Sequence, residues 1–484
     1  MSKVKKNYFY NLLYQILLVI TPVITTPYVS RVLGSEKIGI FSFTLSIATY
    51  FTLVGSLGVA MYGRREIARY QDNIKKRTAA FWQICIIRFI AIALSLLVFY
   101  FTCVTNAEYG YVYLILVLEI VASAFDITWY FQGLENFKTI TIRNMIIKIL
   151  SIAAIFVFVH SADDLWIYVL IHVLSSLISS LAMWVILPRY IHKSIPKVDG
   201  AKEHVGPILM MFLPQAAIQI YTVLDKTMLG FLVSDIREVG IYEQSQKIIK
   251  ITLSVATSFS TVMGPHIAFL HAKKNFDGIK EELRKSFHLV WFLVLPICLG
   301  IIAISSNIVP WFLGPDFLGA TTIMQIGALL MISIGLNNVT GMQYLVPTGR
   351  EKAFTISVVS GAVINCVLNF ILIPPLNAIG AIIASVLAEL SVFLIHMFYV
   401  RPFIKFKDAF RDSFKCIIAG ALMFAVAFTL SLNLAPSIVN SVIIAVSGVL
   451  TYGVALLVLR EEWAVKYLKQ GIGILKGERR HEEN

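Results

Sequence analysis

Fourteen times along this chain the residues turn mostly apolar for roughly twenty positions, the length a helix needs to cross a bilayer. The runs fall near 8–32, 38–61, 79–102, 109–132, 138–160, 164–187, 207–232, 239–264, 285–306, 320–345, 353–373, 378–400, 414–432 and 437–459. Lipid offers the backbone no water, so each run has to satisfy its own hydrogen bonds, and helices of this length do so. An all-α polytopic membrane protein is the expected class. The composition removes the alternatives. Only 14% of residues are charged and the mean hydropathy is +0.78, where a soluble surface needs about 25% charged residues. A soluble enzyme, a disordered scaffold and a disulfide-rich secreted domain are excluded.

The loops orient the runs. With the N-terminus set on the cytoplasmic side, the loops and tails of that side hold 31 of the 41 Lys and Arg residues. The opposite loops at 103–108, 161–163, 307–319, 374–377 and 433–436 hold none. That asymmetry predicts fourteen spans in the cytoplasmic membrane with both termini cytoplasmic. It also explains the net charge of +13 without invoking nucleic acid. Lys3, Lys5 and Lys6 before an apolar run resemble a signal peptide, but the run from Tyr8 to Leu33 is too long and reads as the first span.

A linker at 188–206, rich in Lys, His and Pro, divides the chain. The expected organisation is a six-helix lobe at 1–187, the linker, a second six-helix lobe at 207–400, an extra helix pair at 401–459 and a cytoplasmic tail at 460–484. Internal similarity supports the division. Glu36-Lys37-Ile38-Gly39-Ile40-Phe41, between spans one and two, matches Arg237-Glu238-Val239-Gly240-Ile241-Tyr242, between spans seven and eight. Gly133-Leu134-Glu135 likewise matches Gly349-Arg350-Glu351. Two such repeats of one orientation predict a pseudo-twofold axis along the membrane normal, with cargo handled between them.

Polar residues inside spans are costly and so locate a path for something polar. Four stripes occur, on spans one, two, seven and eight, the matched members of each repeat. They comprise Asn11, Gln15, Thr21 and Thr25; Ser42, Ser46, Thr49, Thr52 and Ser56; Gln215, Gln219, Thr222 and Lys226; and Glu243, Lys247, Lys250, Ser254, Thr257 and Thr261. Single Ser and Thr residues serve helix packing equally well, but four matched stripes predict one cavity. Its charge is basic. Arg88, Arg143, Lys148, Lys226, Lys247 and Lys250 lie within spans and Arg31 near an outer end. Each costs ~2.5–3.5 kcal/mol against lipid at mid-depth. Glu243, four residues before Lys247, is expected to pair with it, and Asp225 with Lys226. Glu119, Asp126 and Glu389 are either proton-coupling carboxylates or partners of buried bases.

A basic cavity suits an anion, and no catalytic constellation or Walker A motif accompanies it, so the cargo is expected to be carried without ATP hydrolysis. Cys85, Cys103, Cys298, Cys366 and Cys416 have no metal-ligand spacing, nor do His160, His172, His266 and His288, and all read as structural. No cofactor is expected. The segment Gly63–Tyr70 with Arg64, Arg65 and Arg69 reads as a cytoplasmic amphipathic helix, an anchor that also suits anionic headgroups.

Pro27-Tyr28-Val29-Ser30-Arg31-Val32-Leu33-Gly34, with Gly39 after it, resembles the first-helix motif of Wzx-type polysaccharide flippases in the multidrug/oligosaccharidyl-lipid/polysaccharide exporter superfamily. Trp129-Tyr130-Phe131-Gln132-Gly133-Leu134-Glu135 and Asp225-Lys226-Thr227-Met228-Leu229-Gly230 are similar to the same family. The resemblance implies a MATE-like fold with alternating access. It further implies transfer of undecaprenyl-diphosphate-linked oligosaccharide repeat units from the cytoplasmic to the outer leaflet for O-antigen, capsule or related polymers. The partners implied are that lipid-linked sugar, the surrounding lipids, and the polymerase and chain-length proteins of the pathway, with a proton or sodium gradient as drive. On this reading Arg31, Lys226, Lys247 and Lys250 engage the diphosphate or acidic sugars. Gln215, Gln219, Ser46, Thr49 and Asn11 meet neutral hydroxyls, and Arg88, Arg143, Lys148, Asp225, Glu243 and Asp126 are secondary charges. A peptidoglycan-precursor flippase and a multidrug cation antiporter of the same superfamily are the competing functions.

Overall fold

A computed structural model describes residues 3–105, 108–192, 200–257, 260–401, 403–410, 413–466 and 468. Residues 193–199 of the linker and the tail from 469 lie outside the described residues, as do the side chains of Asn11, Thr257 and Thr261. Among the described residues the chain is helical throughout, with no strand. Among the described residues, ten helices are long and apolar enough to cross a membrane. The chain forms two compact units, one of Met1–Gln244 with Asn369–Ala378, the other of Ser245–Leu368 with Ile379–Asn484.

The first unit contains α1 (Lys3–Ser56), α2 (Val59–Arg69), α3 (Ile74–Phe99), α4 (Gly110–Phe125), α5 (Thr128–Gly133), α6 (Phe137–Phe158), α7 (Leu165–Ile186) and α8 (Ala201–Leu232), with the first turns of α9 (Arg237–Thr257). One helical trace joins the first two apolar runs, but it breaks at Gly34, whose φ of 73° and ψ of 173° suit a residue without a Cβ. Polar loop residues end the breaks between helices: Asn73 caps α3 by accepting from Lys76 N at 3.1 Å, and Asn136 caps α6 by accepting from Thr139 N.

Hydrophobicity alone does not hold helices to one another in lipid, so polar ties and close backbone approach carry more of the specificity. Both are visible here. Trp129, Tyr130 and Phe131 are buried; Phe81 stacks on Trp129 and meets Tyr130 edge-on, and Phe131 packs edge-on against Tyr190. Tyr130 accepts from Arg77 Nε at 3.0 Å and donates to Tyr190 O at 2.8 Å, while Arg77 also donates to Gln71 O and Tyr190 O. The amphipathic α2 buries Val59, Tyr62, Gly63, Glu66 and Ile67 and leaves Arg64, Arg65 and Arg69 exposed. The two repeated turn motifs meet in space. A Cβ on Gly39 would lie 2.1 Å from Ile236 O, and one on Gly240 2.0 Å from Ser35 O, so only glycine lets α1 and α9 cross this closely.

The second unit contains the rest of α9, α10 (Ser260–Ala272), α11 (Phe276–Leu289), α12 (Leu295–Phe312), α13 (Ala320–Gly327), α14 (Leu329–Asn337), most of α15 (Glu351–Val400), α16 (Phe406–Phe410), α17 (Phe414–Asn433) and α18 (Ile438–Val458). A π-helical turn at Val290–Val294 joins α11 to α12, and a longer one at Asn338–Leu345 follows α14. Helix α15 breaks at Asn377, which has a positive φ of 50° just after Pro374 and Pro375. Its core runs from Ile279, Leu283 and Phe287 through Trp291 to Met331, Phe393 and Cys416.

Candidate functional site: paired charges between α8 and α9

In the first unit, helix geometry turns a run of consecutive polar residues into two parallel ties. Successive residues of an α-helix point about 100° apart, so Asp225 and Lys226 on α8 address different neighbours, as do Tyr242 and Glu243 on α9. Tyr242 donates its hydroxyl to Asp225 Oδ2. One residue on, Lys226 Nζ lies 3.0 Å from Glu243 Oε2. Both partners of this ion pair are largely shielded, at 17% and 18% side-chain exposure. Shielding at that level strengthens the attraction and raises the cost of losing either partner.

Two more helices complete the cluster. Ser42 of α1 donates to Glu243 Oε2 at 3.2 Å. Asn369 of α15, fully buried, donates its amide to Asp225 Oδ1 at 2.7 Å. Below them Thr227 donates to Ser46 Oγ at 2.9 Å and lies 3.0 Å from the Tyr50 hydroxyl. Asp225 is thus a carboxylate held by two neutral donors beside a salt bridge. Among these residues the formal charge is −1, since Lys226 and Glu243 cancel. The group can hold a cation or a proton at Asp225 and can exchange its ties when α8 and α9 move.

Other sequence-selected residues lie elsewhere. Glu243 takes Lys226 of the neighbouring helix, and Asp225 takes Tyr242 and Asn369, partners that spacing along one helix does not reveal. Gln215 is half-buried and Gln219 exposed, farther back along α8, and Thr49 returns its hydroxyl to Leu45 O at 2.7 Å. Arg31 is exposed on α1 ahead of the Gly34 break. Lys247 is half-buried and Lys250 exposed, in the part of α9 that belongs to the second unit.

Arg88 and Asp126 form a separate feature. Arg88 is 4% exposed and donates to the backbone oxygen of Asp126 at 2.7 Å, while the Asp126 carboxylate accepts from Thr128 N at 2.9 Å. Arg143 adds contacts to Thr128 Oγ1 and Asn144 Oδ1, and Lys148 is half-buried on the same helix. These groups close the break between α4 and α5. Glu119 accepts from Ser176 at 3.2 Å, and Glu389 accepts from Asn337 at 2.7 Å within the second unit. Tyr242 and Asn369 escaped the sequence reading. Asn369 had a signal, standing four residues after Asn365 in an otherwise apolar helix.

Residues 4–271, more than half of the chain, match the family described as polysaccharide biosynthesis protein. The chain belongs to that family. Residues 207–371 also match the MatE family. Among curated relatives of this polysaccharide biosynthesis protein, one from Escherichia coli (strain K12) carries the name "Putative O-antigen transporter". It is 23% identical over 78% of this chain and 92% of its own length. A probable low-salt glycan biosynthesis flippase of Haloferax volcanii is 25% identical over 43% of this chain and 44% of its own. Among solved structures, the lipid II flippase MurJ in an inward closed conformation aligns with a TM-score of 0.73 at 17% identity, over 93% of this chain and 98% of that one. An inward-facing multidrug MATE transporter aligns at 0.60 and 10% identity, over 79% and 94%. The fold is therefore MATE-like.

Proposed function

We propose that this protein is a transporter, not an enzyme, that carries a lipid-linked oligosaccharide from the cytoplasmic to the outer leaflet for surface polysaccharide assembly. The observation that carries the reading is the similarity, over 78% of this chain and 92% of the relative, to the protein named as an O-antigen transporter. The cargo is undecaprenyl-diphosphate-linked, the membrane is the bacterial cytoplasmic membrane, and fourteen spans leave both termini in the cytoplasm; the Lys and Arg asymmetry of the loops supports this orientation.

Arg31, Lys247 and Lys250 supply charge for the diphosphate, and Gln215, Gln219, Ser46, Thr49 and Asn11 supply hydrogen bonds for sugar hydroxyls. Lys226, tied to Glu243, joins the phosphate ligands when that tie opens. An ion gradient drives the cycle, and Asp225, which accepts from the Tyr242 hydroxyl and the Asn369 amide, is the carboxylate assigned to it. The similarity to MurJ over 93% of the chain favours the peptidoglycan precursor as the second reading.

Depletion of the protein in cells tests the function. The lipid-linked oligosaccharide pool should accumulate facing the cytoplasm as surface polymer disappears, and mass spectrometry of the pool reads out the sugars. Accumulated peptidoglycan precursor would select the second reading. An unchanged pool with normal surface polymer would reject both.

A further inference from the structure

A second polar site lies in the second unit, away from the α8–α9 ties. Helix α11, the start of α17 and the segment after α18 enclose a cavity of about 490 Å³. Its charged lining is balanced, with Arg284, Lys285 and Lys415 against Glu281, Glu461 and Glu462. His288 also lines it, 8% exposed. Its Nε2 stands 3.0 Å from Glu461 Oε1, whereas its buried Nδ1 has no hydrogen-bond partner. In the tautomer that donates from Nε2 to Glu461, Nδ1 is a bare acceptor. A buried acceptor of that kind costs free energy until a donor reaches it.

The polar cavity adjoins a purely apolar one. Trp463 packs edge-on against the His288 ring at 4.6 Å, and both rings approach Phe292, at 5.9 and 6.1 Å. Phe292 opens a groove of about 700 Å³ between α12, α17 and α18, floored by Pro296, Gly300, Ala427, Gly448 and Gly453. A Cβ on Gly300 or Gly453 would meet nothing within 4 Å, so the space is open at both.

We infer that the two cavities form one site for a zwitterionic aminophospholipid, its head in the polar cavity and an acyl chain in the groove. The phosphate takes Arg284 and Lys415. The ammonium takes the exposed Glu462. Charge balance selects the headgroup: Lys285 is ion-paired with Glu281 and Glu282, at 3.8 and 3.0 Å, and the rest of the charged lining, Arg284 and Lys415 with Glu461 and Glu462, matches a phosphate joined to an ammonium, while a purely anionic head would leave the carboxylates opposed. The loop-charge reading sets this end of the helices at the cytoplasmic surface, level with headgroups. The bound lipid would fasten α17 and α18 to α12, and the site stands whatever the cargo is.

Native mass spectrometry of the full-length protein in detergent, titrated with phosphatidylethanolamine, phosphatidylglycerol or undecaprenyl phosphate, tests the site. One phosphatidylethanolamine should be retained at least tenfold more tightly than phosphatidylglycerol. Arg284→Gln and Glu462→Gln should each weaken retention about fivefold. Gly453→Leu, which fills open space, should abolish it while leaving the lipid-free melting temperature unchanged, so that loss of binding is separated from loss of fold. Equal retention of the two phospholipids, unchanged binding in all three variants, or displacement by undecaprenyl phosphate would overturn the proposal, the last by assigning the groove to the cargo chain.

Discussion

Two groups of intramembrane charge in the first unit behave in opposite ways. At the α4–α5 break, Arg88 spends its guanidinium on a backbone carbonyl and Asp126 spends its carboxylate on a backbone amide. Between α8 and α9, Lys226 and Glu243 meet side chain to side chain, and Asp225 is held by Tyr242 and Asn369. Charge that satisfies backbone repairs a helix interruption and has one useful arrangement. Charge that satisfies other side chains from separate helices can be exchanged when those helices shift. The sequence presents both groups alike, as costly ionisable residues in apolar runs. The type of partner separates them.

The sharpest way to break this distinction is to remove one member of the ion pair. Glu243→Met leaves Lys226 without its counter-charge and Lys226→Met strands Glu243, and each should destabilise the protein by about 3 kcal/mol, whereas the two substitutions together should recover most of that stability. Melting in detergent for the two singles and the double, read as a cycle, measures it. Additive losses would mean that the two side chains are not coupled.

Arg88→Leu should cost about 2 kcal/mol, because the Asp126 carbonyl loses a charged donor in a dry setting. The loss should appear as less folded protein by fluorescence-detected size exclusion, with normal transport per folded molecule. A per-molecule transport defect would move Arg88 into the functional group. Asp225→Asn should do the reverse. Asparagine keeps a carbonyl oxygen to accept from Asn369 and turns its amide to donate to the Tyr242 hydroxyl oxygen, so folding should hold, while transport falls about tenfold, equivalent to ~1.4 kcal/mol. Reduced abundance with unchanged specific transport would return Asp225 to a structural role.

The smallest effect concerns the tie at the N-terminal end of α8. His204 lies 2.6 Å from the Tyr62 hydroxyl and 2.9 Å from Gln83 Oε1, and burial pushes its imidazole below the ordinary histidine range. Glu66 and Glu203 oppose that shift without cancelling it. A base whose folded-state affinity for a proton is reduced stabilises the fold at high pH. That stability is lost as pH falls below the unfolded value of ~6.5 and on through the folded one. His204→Gln should flatten the decline in melting temperature between pH 7 and pH 5, and an unchanged slope would remove His204 as its source.

Much of the architecture was legible because lipid imposes simple rules. Runs of about twenty apolar residues announce helices, and the turn motifs that mark the repeat lie at the Gly39–Gly240 crossing, where backbone approach leaves no room for a Cβ. The motif around Trp129 was legible as a signature, and its physical basis is packing: Trp129 and Phe81 stack, and Arg77 and Tyr130 fasten the polar end. The partners inside the site were less legible. Spacing along α9 favours Glu243 with Lys247, because sequence shows neighbours on one helix. It does not show which face of α8 comes within 3.0 Å. Asn369 stands 144 residues from Asp225 and was beyond any local rule.

The central claim is that this chain moves lipid-linked oligosaccharide and that Asp225 works in that movement. Purified protein in sealed vesicles, loaded on one leaflet with an undecaprenyl-diphosphate oligosaccharide that an external glycosidase can trim, measures it directly. Protein-containing vesicles under an ion gradient should expose the inner pool to the enzyme, and Asp225→Asn vesicles should do so about tenfold more slowly. Rates equal to those of protein-free vesicles, or equal for the protein and the variant, would contradict the account.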